Sequence, residues 1–139
     1  MTQDASALLR VYTGQLDGAR AAAFRTEKLG RHLPYRYCFA TTQSMIETLA
    51  GNFNAAVRHG ERAMAMMPLG DKLLYSPTLR YLAIGYAKTN RYEQAVRHFD
   101  KLARTEGTIL SSDLDIEKYP MPSKDAAQLM RESLSAVGK

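Results

Sequence analysis

Hydrophobic positions along the chain recur with helical spacing, and nowhere do they alternate as in a half-buried strand. The clearest pair of helices lies in Ser76–Gly107, broken at Lys88-Thr89-Asn90. In its first half Leu79, Leu82, Ala83 and Tyr86 line one helix face; in its second half Tyr92, Ala95, Phe99 and Leu102 do the same. Neither helix can bury its stripe alone, so the pattern predicts an antiparallel hairpin. Ala83 and Ala95 let the two backbones approach, and Tyr86, Tyr92 and Phe99 are expected to fill the space around that contact.

Part of this unit occurs twice. Ala56-Val57-Arg58-His59-Gly60-Glu61-Arg62 reads against Ala95-Val96-Arg97-His98-Phe99-Asp100-Lys101 at an offset of 39 residues, with four identical pairs and two that keep their charge. In that register Gly51 faces Asn90 and Phe53 faces Tyr92. The upstream unit is therefore a hairpin of Tyr35–Ala50 and Asn52–Met67, turning at Gly51-Asn52 and ended by Pro68 and Gly70. Leu69–Tyr75 is a long loop, after which Ser76-Pro77 reads as helix cap and first helical residue. A looser first hairpin, Ala5–Thr13 and Leu16–Leu29, breaks at Gly14 and closes at Gly30 with Pro34 downstream. Beyond Gly107 the periodicity fails over Thr108–Lys118, and Tyr119-Pro120-Met121-Pro122 reads as extended. Ser123 then caps a last helix running to about Val137, with the stripe Ala126, Leu129, Met130 and Leu134. The expectation is an all-α fold of seven helices. They make three hairpins, spanning about 4–34, 35–68 and 76–107, and a cap over 123–137 that covers the open edge of the third.

Leu79, Leu82, Ala83, Tyr86, Tyr92, Ala95 and Phe99 resemble the tetratricopeptide (TPR) repeat in order and spacing, with Asn90 where that family usually has Gly. Ala63 and Pro68 match it in the second unit, whereas Leu102 and Gly107 depart from it in the third. The resemblance implies an α-α superhelix in one domain. It also implies a concave groove, lined by the first helix of each hairpin, that grips a peptide or a partner helix. Carried onto this chain, the inward positions are Thr41, Thr42, Met45 and Thr48 in the second repeat and Arg80, Tyr81, Ile84 and Lys88 in the third, with Leu8 and Val11 as counterparts in the first. Met45 and Ile84 would supply apolar grip, while Arg80, Tyr81 and Lys88 would hold a carboxylate or backbone carbonyls. The Lys and Asn of TPR domains that clamp a C-terminal carboxylate are replaced here by Thr41, Thr42 and Met45. The other occupants such a groove could take are the chain's own last helix or a second copy of the chain, as a homodimer. The order of repeats, acidic spacer, Pro-containing segment and Ser123–Gly138 helix is also similar to C-terminal regions of bacterial transcriptional regulators and nucleotide cyclases. That likeness implies a regulatory or oligomerisation domain of a larger protein.

Composition narrows the function classes. The 139 residues hold 19 basic and 14 acidic side chains, a net charge of +5. Arg58, Arg62, Arg97 and Lys101, with Arg25 and Arg104 nearby, form a basic strip on the second helices. Glu61, Glu93 and Asp100 interrupt it and no aromatic platform interleaves it, which ranks nucleic acid below a protein partner. Cys38, the one cysteine, excludes an internal disulfide and is expected in the core. His59 and His98 occupy equivalent repeat positions, and neither belongs to a metal-ligand spacing. No catalytic motif is present, so the reading is a non-catalytic protein without cofactor or metal. The opening MTQDASALLRVYTGQ lacks the order of a signal peptide and no apolar run reaches membrane-spanning length, which predicts a cytoplasmic protein that does not enter the membrane.

Overall fold

The computed structural model describes residues 16–30, 37–71, 73–113, 121 and 123–139, with the side chains of 26–30 left aside. Among them all regular structure is helical: α1 Leu16–Gly30, α2 Tyr37–Ala50, α3 Phe53–Met66, α4 Tyr75–Lys88, α5 Tyr92–Glu106 and α6 Lys124–Ala136. The helix expected over Ala5–Thr13, and Leu8 and Val11 with it, lie outside the described residues.

The turns share the register of the 39-residue offset. Gly51 (φ 84°) and Asn90 (φ 63°) both adopt the left-handed conformation that ends a helix and reverses the chain. Gly51 N–H donates to Thr48 O and Asn52 N–H to Glu47 O; Asn90 N–H donates to Ala87 O and Arg91 N–H to Tyr86 O. These are the same two bonds at both places, and they satisfy carbonyls that the helix ends would leave open. Asn90 performs the turn without being glycine, since Asn is among the few side chains that tolerate positive φ.

Two helices are enclosed. Phe39–Thr48 of α2 and Thr78–Ala87 of α4 are each ten consecutive buried residues. By contrast, α3 buries Ala56, Val57, Gly60 and Ala63, and α5 buries Ala95, Phe99 and Leu102. The first helix of each of these two hairpins is thus an inner element, and the second covers it with one amphipathic stripe. The main core joins Val57, Leu79, Leu82, Ala83, Ile84, Tyr86, Ala95, Phe99 and Leu102 to Leu110 and to Met130 and Leu134 of α6. A smaller cluster joins Ala19, Ala22 and Ala23 of α1 to Met45, Ile46 and Tyr81.

Two glycines set the spacing between α3 and α4. A Cβ at Gly60 would stand 2.7 Å from Leu82 Cδ2, and one at Gly85 would stand 2.6 Å from Val57 Cγ2. Each helix therefore presents a bare backbone to the other's branched side chain, which lets the hairpins interlock.

At three places the structure corrects the expectation. Ser76 is not the cap of α4, nor Pro77 its first residue: the helix starts at Tyr75, after Leu74. Asp71 organises this entry, its carboxylate accepting the N–H groups of Leu73 and Leu74 and the Tyr37 hydroxyl. Pro77 still sits in the first turn, where its missing N–H costs nothing. Cys38 is half-buried instead of a core residue. Tyr92 does not fill the hairpin contact; it is 46% exposed, with its hydroxyl donating to Asn90 Oδ1. Phe53, its counterpart, is partly buried against the core because α4 follows alongside. Ser123, as expected, caps the last helix, its Oγ accepting from Ala126 N–H at 3.1 Å.

Candidate partner-binding site

The eight residues assigned to the groove come from α2 and α4, which pack on each other. Seven of them, Thr41, Thr42, Met45, Thr48, Arg80, Tyr81 and Ile84, are buried within the chain itself. Lys88 is the most exposed of the eight, with about a quarter of its side chain in solvent. The expected open groove is therefore closed in this structure, and the reason is visible residue by residue.

On α2, polar side chains are tied to neighbours. Thr41 and Thr78 hydroxyls share a hydrogen bond of 2.9 Å across the α2–α4 contact. Thr42 and Thr48 donate back to Cys38 O and Ser44 O, and Ser44 donates to Ala56 O on α3. Gln43 accepts from Arg62, and Glu47 accepts from Arg20 at 2.6 Å and Asn52 at 3.0 Å. These bonds offset the desolvation that burying polar groups would otherwise cost. Met45 and Tyr81 lie in the cluster that α1 covers with three alanines, and Met121 packs against it.

On α4, the cations that were to hold a partner's carboxylate hold the chain's own. Arg80 Nη2 is 3.0 Å from Glu106 Oε1 on α5, with both side chains largely buried. Lys88 Nζ is 2.7 Å from Glu132 Oε2 on α6, and the ammonium also lies 6.0 Å from the Phe53 ring centroid. The Lys88 bond holds the Glu132 carboxyl below its ordinary range. Ile84 is fully buried in the core that includes Met130 and Leu134.

A second polar group crosses the α3–α4–α5 seam. Burial pushes the Tyr86 phenol up to about 12, together with the bond it donates to Glu61 Oε1 at 2.9 Å. Arg91 stands 3.9 Å from Glu61 and over the Tyr86 ring. His98 packs against the same ring at 4.9 Å between centroids, and burial pushes its imidazole down. His59, its repeat counterpart, instead lies 3.3 Å from Arg62. Among the described residues no group of three or more His, Cys, Asp or Glu could hold a metal ion. Arg25, Arg58, Arg62, Arg97, Lys101 and Arg104 are exposed.

The 69–75 loop, in the sequence only an insertion, frames a cavity of about 640 Å³ beside Met64, Met67, Pro68, Tyr75 and Thr105. Leu69 and Leu73 on that loop and Ile109 after α5 are 105%, 81% and 90% exposed. Both loops follow second helices and so share one end of the molecule. The signal that could have found this patch was two leucines within a stretch punctuated by Gly70 and Asp71 that belongs to no helical stripe.

The fold and site define an all-helical protein with an internally repeated hairpin, and no described helix is long and apolar enough to cross a membrane. Compared with known families, curated proteins and solved structures, the chain matches none.

Proposed function

We propose that this chain is a TPR-like helical-repeat module that binds a protein partner without catalysing a reaction. The observation that carries the reading is the recurrence, 39 residues apart, of one turn geometry between an enclosed first helix and a one-sided second helix. A linear stack of such hairpins lines one face with first helices, and in helical repeats that face grips peptides. Lys88 stands at its solvent edge. The partner suited to it is an amphipathic helix with a carboxylate near Lys88.

The test is capture from source-cell extract on the immobilised full chain, read by mass spectrometry. A partner retained by wild type and weakened by Lys88→Glu, with far-UV circular dichroism unchanged, supports the reading. Retention of nothing above a scrambled control sinks it.

A second reading, a regulatory or oligomerisation domain of a larger protein, is favoured by Leu69, Leu73 and Ile109, three large apolar side chains in solvent at one end. Light scattering across a concentration series separates the two. Self-association that Leu69→Asp and Leu73→Asp abolish selects oligomerisation, and a concentration-independent monomer rejects it.

A further inference from the structure

We propose that α6 is an intramolecular occupant of the α4 face, and that a partner's amphipathic helix of the same chemistry displaces it. The proposal rests on the partner-binding reading above and deepens it by naming what the face accepts.

Four observations point the same way. First, α6 covers positions that the repeat pattern assigns to partners: Met130 and Leu134 share a core with Ile84, and Glu132 takes Lys88. Second, α6 is laid on α4 instead of being interlocked as a further repeat helix. Its main packing partner is α4, whereas α4 itself packs on α2, α3 and α5 as well. Val57 drives into the backbone of α4 at Gly85. Its repeat counterpart Val96 remains half-exposed, beside a cavity of about 520 Å³ that opens between Tyr92 on α5 and Ala136 and Val137 at the end of α6.

Third, the attachment runs through one narrow stripe of α6. The helix fully buries two large side chains, Met130 and Leu134, with the small Ala126, Ala127 and Ser133, while Leu129 and Val137 pack half-buried against the same core. Its polar ties lie at the rim and include Lys88 to Glu132, Lys139 to Asp100 at 2.8 Å, Arg131 Nε donating to Ser112 O at 3.2 Å and Ser112 N–H donating to Lys139 O at 3.0 Å. Fourth, α6 carries its own start and stop. Ser123 caps it, Asp125 sits in its first turn, and Gly138 (φ 80°) ends it with the bonds Gly138 N–H to Ser135 O and Lys139 N–H to Leu134 O. A helix so bounded has both ends set by its own residues and docks as one unit.

The face therefore selects a helix with two adjacent small residues, large unbranched or γ-branched apolar residues about three and seven positions on, and a carboxylate between them for Lys88. Any such helix competes with α6 at the high local concentration of a tethered segment, so the tether sets a threshold for binding.

The probe is a labelled peptide of residues 123–139, added to the full chain and followed by fluorescence anisotropy. Glu132→Lys in the chain sets a second ammonium against Lys88 and loosens the resident helix, while the peptide keeps its glutamate. The peptide is expected to bind this variant roughly three- to tenfold more tightly than wild type. Met130→Ala in the chain should increase the effect further, and Lys88→Glu should remove the gain. Hydrogen exchange on wild type should show α6 amides opening at least about tenfold faster than those of α4. If the Glu132→Lys chain stays helical, gains no affinity over wild type, and exchanges its α6 amides together with α4, then α6 is a fixed part of the core and the proposal fails. Capture of a partner by such a chain through Leu69 and Leu73 would leave the interaction reading standing and remove this inference alone.

Discussion

Replacing Gly85 by alanine sets two effects of known size against each other. In an exposed helix the change stabilises by about 1 kcal/mol, because glycine has more backbone freedom to lose. At Gly85 the added methyl would meet Val57 Cγ2 at 2.6 Å, well inside ordinary contact, with the carbonyl of Phe53 at 3.6 Å behind it. Val57 is 2% exposed and β-branched in the middle of α3, so it has essentially one rotamer and cannot turn away. The two helices must separate instead, an overpacking cost of about 2–3 kcal/mol. The net expectation is a loss of about 1–2 kcal/mol, read as a lower urea midpoint at unchanged slope. The decisive comparison is the background. In Val57→Ala the obstructing methyls are gone, so Gly85→Ala should there stabilise by up to about 1 kcal/mol, a reversal of sign that a double-mutant cycle isolates. Stabilisation by Gly85→Ala in the wild-type background would falsify the close approach of α3 and α4, and with it the interlocked packing of the two hairpins.

The other expectations are smaller or more local. Asn90→Ala should cost about 1 kcal/mol and Asn90→Gly little or nothing, since φ is 63° there; equal effects in thermal melts would refute the turn geometry. Glu106→Ala removes the carboxylate that accepts from the largely buried Arg80 and should cost about 1–3 kcal/mol, with Glu106→Gln milder because it still accepts a bond; an unfolding curve like wild type would show the pair to be idle. For pH, burial depresses the folded-state pKa of His98, so the unfolded chain binds the extra proton first as pH falls. Its contribution to stability is whole above about 6.5 and declines as pH drops from there through the lowered folded value. Glu61, Tyr86, Arg97 and Lys101 around it are present in both wild type and variant, so His98→Gln should flatten that slope of the urea midpoint, and an unaltered slope would contradict it.

What could be read from the chain alone depended on whether a residue's fate is decided within its own repeat. The offset from Gly51 to Asn90 was legible because turn conformation is local, and both sites make the same two hydrogen bonds. The stripes of α3 and α5 were legible for the same reason, as each faces the helix it immediately follows. Tyr92 failed that test. Its counterpart Phe53 packs because a neighbouring hairpin closes over it, and among the described residues no hairpin does the same for Tyr92.

The cover over the groove was legible only as one of several occupants, the last helix among them, because position within a repeat does not name the neighbour. Ile84 and Lys88 both meet residues far downstream in the chain: Ile84 shares its core with Met130 and Leu134, and Lys88 pairs with Glu132. One signal for this was present. The stripe Ala126, Met130 and Leu134 had to be buried somewhere, and the second helices had already used their apolar faces on α2 and α4. An apolar position left over on α4 was Ile84, with Lys88 one turn on as a mate for an acid on the incoming helix. Pattern and charge are thus consistent with α6 on α4, and the structure selects it from the occupants the sequence left open. The same reasoning says what a competitor needs: it must match that stripe and that acid, because these are what the face was already filled by.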